Sequence, residues 1–336
     1  MGAFSYVVPV YIAEISPSEL RGRLTTCNQV MVSTGVSTVY ILGILLPWRV
    51  LAFTGLVPCA LLLMGLLFIP ESPRWLAKKG REKDFEVQLQ RLRGHDADIS
   101  SEAAEIQEYI DGLQHLPKAK VLDLFQIRYR HSLIVGVGLM VFQQLGGISG
   151  ICFYATSIFE AAGVSSNAGT ISYACLQVVV TVLNTLVIDR IGKKPLVVVS
   201  AAGMLVGCVT AATSFFLKTY GLATSISPAL AVAGLLIFIA GFAAGMAAIP
   251  WVVMSEIFPI NIKGTAGSFA TLVNWSCSWA VSYSFNFLMS TSSYGTFLLF
   301  GTVNALCILF VIKVVPETKG RTLEKIHSSI TELQVN

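Results

Sequence analysis

Glu14-Ile15-Ser16-Pro17-Ser18-Glu19-Leu20-Arg21-Gly22, near the start of the chain, returns near its end as Glu256-Ile257-Phe258-Pro259-Ile260-Asn261-Ile262-Lys263-Gly264. Both stretches spell Glu-Ile-x-Pro-x-x-(Leu/Ile)-(Arg/Lys)-Gly, and both close an apolar run. A second pair keeps nearly the same spacing: Pro70-Glu71-Ser72-Pro73-Arg74 follows one apolar run and Pro316-Glu317-Thr318-Lys319-Gly320-Arg321 follows the last. The offsets are 242 residues (14 to 256) and 246 residues (70 to 316). Two matches at one offset indicate a duplicated unit. Residues from about 132 to 240 then map to positions before residue 1, so the expectation is a chain whose first repeat lacks its beginning.

Composition sets the class. Of 336 residues 54% are hydrophobic and 12% charged, against roughly 25% charged in soluble domains. Runs of about 20 apolar residues are long enough for a hydrocarbon core roughly 30 Å thick. Nine such runs are expected: 2–13, 24–46, 48–69, 132–162, 171–188, 195–217, 228–254, 265–289 and 294–315. Three spans followed by six fit a six-plus-six arrangement with three missing. The expected fold is thus an all-α multi-pass membrane protein. Its expected parts are the remainder of an N-terminal transmembrane domain (1–69), a cytoplasmic helical linker (70–131), a C-terminal six-helix transmembrane domain (132–315) and a cytoplasmic tail (316–336).

Charge orients the spans, because Lys and Arg gather in cytoplasmic loops. Of 23 basic residues only Arg49 and Lys218 fall on the opposite side. The net charge of +4 is therefore explained by topology, and no nucleic-acid partner is expected. The seven cysteines lie in apolar runs without C-x-x-C spacing, which reads as helix packing and not as a metal site. No Ser-His-Asp, metal-ligand or phosphate-loop pattern appears at useful spacing, so neither an enzyme nor a cofactor is expected.

The polar residues inside the spans carry the functional signal. Asn28 and Gln29 lie about a turn inside the second run. Adjacent Gln143-Gln144 precede Gly146, Gly147 and Gly150, and Asn274-Trp275 and Pro250-Trp251 lie within later runs. A single intramembrane amide either ties helices together or faces a polar cavity. Glycines after paired glutamines predict a broken helix, a common pointer to a transporter site. The competing account is a Gly-rich packing face with amides as interhelical ties. Glu14 and Glu256 need partners near the membrane, and the repeated cation at Arg21 and Lys263 predicts an ion-pair cluster, against the simpler alternative of solvated interfacial carboxylates.

Together, Pro9-Val10-Tyr11-x-x-Glu14 with Arg21-Gly22, Pro70-Glu71-Ser72-Pro73-Arg74-Trp75-Leu76, Gln143-Gln144, Asp189-Arg190-x-Gly192-Lys193-Lys194, Pro250-Trp251 with Glu256, and Pro316-Glu317-Thr318-Lys319-Gly320 resemble the sugar porter family of the major facilitator superfamily. The plant early-dehydration-response-like monosaccharide transporters are the most similar branch. The resemblance implies two six-helix repeats, with about three N-terminal helices missing, and alternating-access transport of a hexose such as glucose, facilitative or proton-coupled. It implies that Gln29, Gln143, Gln144, Ser149, Asn274 and Trp251 bind sugar and that Phe153 and Tyr154 form an extracellular gate. Glu14, Arg21, Asp189, Arg190, Glu256 and Lys263 would form the cytoplasmic ion-pair cluster. The partners implied are a monosaccharide, the lipid bilayer and, in the coupled case, protons; the location implied is the vacuolar or plasma membrane. The chain departs from the family pattern at Ser149 (usually Asn), Phe153 (usually Tyr), Ala247-Ala248 (usually Gly-Pro) and Gln177 (often Asn). A truncated isoform that senses sugar without carrying it is the alternative.

Overall fold

The computed structural model describes residues 2–17, 19–114, 124–163, 165–223, 225–259 and 262–317. The tail beyond 317, His115, His327 and the Ile260-Asn261 pair of the second motif lie outside the described residues. Sixteen α-helices follow one another, and no strand interrupts them among the described residues: α1 (Gly2–Ile15), α2 (Arg21–Leu45), α3 (Trp48–Thr54), α4 (Leu56–Leu66), α5 (Pro73–Lys78), α6 (Glu82–Arg93), α7 (Ser100–Gln114), α8 (Ile127–Leu145), α9 (Ile148–Phe153), α10 (Ala155–Ala162), α11 (Ser166–Ile191), α12 (Lys193–Thr219), α13 (Ser227–Gly241), a π-turn (Phe242–Met246), α14 (Ile249–Ile257), α15 (Lys263–Thr291) and α16 (Ser293–Val314). In hydrocarbon every backbone polar group must be satisfied within the segment, which leaves helices as the means of crossing for this chain.

Among the described residues seven helical runs are long and apolar enough to cross, against the nine spans expected: Arg21–Leu45, Trp48–Leu66, Tyr129–Phe153, Asn167–Ile191, Lys193–Thr219, Ser227–Ile257 and Ser293–Val314. Of the other two expected spans, α1 is short and kinkable at Pro9. Helix α15 has the length, at 29 residues, but Thr271, Asn274, Ser276, Ser278, Ser282 and Ser284 dilute its apolar character. Two of them, Asn274 and Ser278, return below as part of the site.

Four helix pairs build the scaffold. Helix α12 packs on α13 and α16, α2 runs along α11, and α15 lies on α8. Small residues let α12 and α13 approach closely, the arrangement favoured where lipid offers no hydrophobic drive. A Cβ at Gly207 would lie 2.5 Å from the Phe238 nitrogen, and one at Gly241 would lie 2.6 Å from the Met204 nitrogen. Hydroxyls join α2 to α11: Ser33 Oγ lies 3.3 Å from Thr181 Oγ1, and Ser37 Oγ donates to the Ala174 carbonyl at 3.0 Å.

The expected helical layer after Pro70 forms α5–α7, closed by its own small core of Leu76, Phe85, Leu89, Ile106 and Ile110. Ser72 caps α5 by accepting from the Trp75 N–H at 3.3 Å, with Pro73 as the first residue of the helix. That is the position where a missing N–H costs nothing.

Candidate functional site

The break expected in the 132–162 run occurs at Gly146-Gly147. Gly147 has φ +100, a left-handed backbone that glycine adopts without steric cost. The chain then restarts as α9 and breaks again at Tyr154. This brings the glutamine pair at the end of α8 against α15, where Asn274 is 1% exposed.

The amides meet in one network. Asn274 Nδ2 donates to Gln143 Oε1 at 2.8 Å, and Gln144 Nε2 donates to Asn274 Oδ1 at 3.2 Å. Ser149 Oγ donates to Gln144 Oε1 at 2.6 Å and lies 2.8 Å from Ser278 Oγ. Gln143 Nε2 donates to the Met246 carbonyl at 2.6 Å. In front of this network lies a cleft of about 320 Å³, lined by Asn28 and Gln29 of α2, Gln143 and Gln144 of α8, Trp251 of α14 and Asn274 and Trp275 of α15, with Phe4, Ser5 and Val8 of α1 beside them. Its volume lies in the range of small-molecule pockets, and an apolar wall with a few placed polar groups is their usual construction.

The two sides of the cleft differ. The α8 and α15 amides are bonded to one another, whereas no protein group engages Asn28 or Gln29 among the described residues. Trp251 is half-buried and presents an indole at the same opening. Neutral amides can both donate to and accept from hydroxyls, and an indole face suits the C–H side of a ring. An uncharged polyol matches this chemistry.

Other expected site residues fall outside the lining. Ser149 stands one bond behind Gln144. Tyr154 stacks on Phe285 with ring centres 5.1 Å apart, and Phe285 stacks on Phe300 in turn. Phe153 is 70% exposed. Sequence reasoning passed over Ser278, whose spacing of four from Asn274 puts it on the same face of α15. It also passed over the α1 residues Phe4, Ser5 and Val8, which no polar pattern marks.

Around the C-terminal end of α1 the repeated motifs meet. Glu14 Oε1 lies 3.4 Å from Lys263 Nζ, and Ser72 Oγ donates to Glu14 Oε2 at 2.7 Å. Three arginines cap the last carbonyls of α1: Arg21 Nε reaches Ala13 O at 3.2 Å, Arg74 Nη1 reaches Glu14 O at 2.9 Å and Arg93 Nη1 reaches Ile15 O at 2.9 Å. Cations at a helix C-terminus oppose its partial negative charge. Glu256, 1% exposed, pairs with Lys193 at 3.0 Å. Asp189 accepts from the Arg23 N–H at 3.1 Å, so α11 caps the first turn of α2. The motif glycine Gly22 leaves room for that carboxylate, since a Cβ there would lie 2.0 Å from Asp189 Oδ1. Glu317 caps α12 in the same way through the Lys193 and Lys194 N–H groups. Arg190 lies exposed beside these pairs. Arg23, Lys193, Ser72 and Glu317 are members that motif spacing alone did not single out.

Farther out, Arg93 also binds Glu102 through two nitrogens at 2.8 and 2.7 Å. That hydrogen bonding holds the Glu102 carboxyl below the usual range. Among the described residues no group of three His, Cys, Asp or Glu is placed to hold a metal.

A helical membrane protein with this interrupted-helix cleft and this ion-pair cluster is of the major facilitator type. Within that class the chain belongs to the sugar transporter family: the model described as "Sugar (and other) transporter" matches residues 1–329. Sugar transporter ERD6-like 7 of Arabidopsis thaliana is 62% identical over 330 residues, covering 98% of this chain and 71% of that relative. Among solved structures, the major facilitator superfamily proton:xylose symporter XylE bound to 6-bromo-6-deoxy-D-glucose superposes with a TM-score of 0.85 at 29% identity, covering 97% of this chain and 70% of that one. Against the inward open conformation of XylE from E. coli the TM-score is 0.65 at 29% identity, over 96% of this chain and 68% of that one. The chain is thus arranged more like the sugar-analogue complex than like the inward open form.

Proposed function

We propose that the chain carries a monosaccharide, glucose or a similar hexose, across a membrane by alternating access. The observation that carries this reading is the cleft itself, where uncharged amides from α2, α8 and α15 converge with Trp251 at a helix break. In this reading Gln29, Gln143, Gln144 and Asn274 take the sugar hydroxyls, Trp251 faces the ring, and Ser149 holds Gln144 in place. Tyr154, stacked on Phe285, closes the outer end, with Phe153 beside it.

The units that move are residues 1–69 and 132–315, joined by the helical layer within 70–131, with 316–336 as a tail. The pairs Glu14–Lys263 and Arg23–Asp189 cross between these units, so they hold the cytoplasmic side shut while sugar enters from the other side. Glu256, with Lys193, anchors α14 inside the second unit, and Arg21 and Arg190 complete the cluster. Opening inward requires the crossing pairs to exchange for water, and the sugar must fit both states nearly equally to be released.

The membrane is the vacuolar or plasma membrane, and the coupling is either facilitative or to protons. Uptake of labelled D-glucose into reconstituted vesicles, with and without an imposed pH gradient, tests both points. Flux that exceeds that of empty vesicles and rises with the gradient indicates symport, flux indifferent to the gradient indicates facilitation, and flux equal to empty vesicles contradicts the proposal.

A further inference from the structure

The helix that carries Trp251 is broken next to the cleft, and two side chains from neighbouring helices satisfy the groups exposed by the break. Pro250 has no N–H, so the Met246 carbonyl four residues earlier loses its helical donor. The Trp251 N–H bonds to Ala248 O at 3.1 Å, which diverts the normal partner of Ala247 O. Gln143 Nε2 takes up both orphaned carbonyls, Met246 O at 2.6 Å and Ala247 O at 3.4 Å. On the other side of the π-turn, Ser200 Oγ donates to Gly241 O at 2.6 Å and accepts from the Met246 N–H at 2.8 Å. The hydroxyl is inserted where a backbone rung would close. π-turns of this kind concentrate at functional positions.

Gln143 also lines the cleft. Its amide nitrogen therefore stands between two kinds of acceptor, the α14 backbone and whatever fills the cleft. Helix α14, only nine residues long, carries Trp251 at the cleft and Glu256 at the buried pair with Lys193.

We propose that Gln143 is a two-position strut: with the cleft empty it holds the Met246 carbonyl, and a sugar hydroxyl accepting from Nε2 draws it away and frees α14 to pivot at the π-turn. Ser200 is the positioning residue that fixes where the pivot lies. Cleft occupancy is thereby transmitted to the Glu256–Lys193 pair through a single amide. The ligand half of this inference rests on the function proposed above, and the strut itself does not.

Hydrogen exchange of the Val252–Ile257 amides, read by mass spectrometry on reconstituted protein, tests it. Without sugar, Gln143→Met exchanges about tenfold faster than wild type, the effect of one lost buried hydrogen bond. Adding Pro250→Ala restores an N–H to the Met246 carbonyl and returns the rate to within about twofold of wild type. Ser200→Ala also speeds exchange, while its affinity for D-glucose stays within about twofold because Ser200 lies outside the cleft. D-glucose speeds exchange in wild type and has no effect on it in Gln143→Met; L-glucose has no effect on either. Sugar-free Gln143→Met exchanging like wild type, or faster exchange that Pro250→Ala leaves uncorrected, overturns the strut. A strut that behaves as stated in a protein whose exchange ignores D-glucose overturns the switch alone. Absence of D-glucose binding to wild type overturns the functional reading.

Discussion

The Lys263 ammonium at the start of α15 lies 3.4 Å from the Glu14 carboxylate at the end of α1. Each residue belongs to one copy of the same sequence motif, 249 positions apart, so the duplicated unit is stapled to itself across the molecule. Lys263 is 7% exposed and Glu14 13%, and a pair this dry gains little from simple Coulomb attraction because desolvation opposes it. Its value is conditional, since removing either member leaves the other charge buried.

Glu14→Gln and Lys263→Met are each expected to shift the protein toward a form open on the cytoplasmic side, by about tenfold or more in population. Spin-label distances between the cytoplasmic ends of α1 and α15 report the shift. The double variant shifts no further than either single one, because both remove the same staple.

Glu256→Gln removes the carboxylate paired with the Lys193 ammonium, 8% exposed, and is expected to destabilise by about 3–5 kcal/mol. Replacing Lys193 by Met in that background recovers most of the loss. Thermal unfolding in detergent reads both, and an unchanged midpoint for Glu256→Gln would refute the pairing.

The free and the bonded amides of the cleft respond differently to substitution. Gln29→Leu, at a side chain no protein group engages among the described residues, raises KM for sugar about tenfold with little change in thermal stability. Asn274→Ala removes donors and acceptors shared with Met140, Gln143 and Gln144, and so lowers thermal stability as well as transport. Equal stability losses in the two variants would contradict the asymmetry of the site.

Gly241→Ala places a methyl 2.6 Å from the Met204 backbone nitrogen, where neither helix has a flexible atom to yield. The expected cost is about 1–3 kcal/mol from forced separation of α12 and α13. Gly65→Ala, where nothing lies within 4 Å, serves as the neutral control in the same melting experiment.

The Glu102 carboxyl is held low in the folded protein by Arg93. A depressed carboxylate contributes stability above its unfolded value of about 4.3 and loses it as pH falls through the folded value. The protection factor of the α7 amides, exchange corrected for its intrinsic pH dependence, is thus steady from neutral pH down to about 5 and falls below about 4.3. Arg93→Ala removes that step.

Much of this architecture could be read before any coordinates. The Glu-Ile-x-Pro repeat exposed the duplication, and Gly146-Gly147 marked the broken helix, because only glycine makes a left-handed turn there freely. Gln143, Gln144 and Asn274 stood out as amides in apolar runs, and the structure joins them in one network. What escaped were relationships that local patterns do not encode. Ser200 is an ordinary small residue on α12 until α13 is placed against it. Lys193 reads as a loop cation that sets orientation, yet it folds under α12 to meet Glu256. Helix α15 stands apart from the seven sufficiently apolar spans because the same residues that dilute its hydropathy, Asn274 and Ser278, face the site.

Counterflow of labelled D-glucose in vesicles containing the protein, with Asn274→Ala beside it, reads sugar passage through the amide-lined cleft. Saturable D-glucose uptake is expected that unlabelled D-glucose competes away and L-glucose does not, and that falls at least about tenfold in the variant. Uptake equal to that of empty vesicles, or uptake indifferent to Asn274→Ala, would contradict such passage.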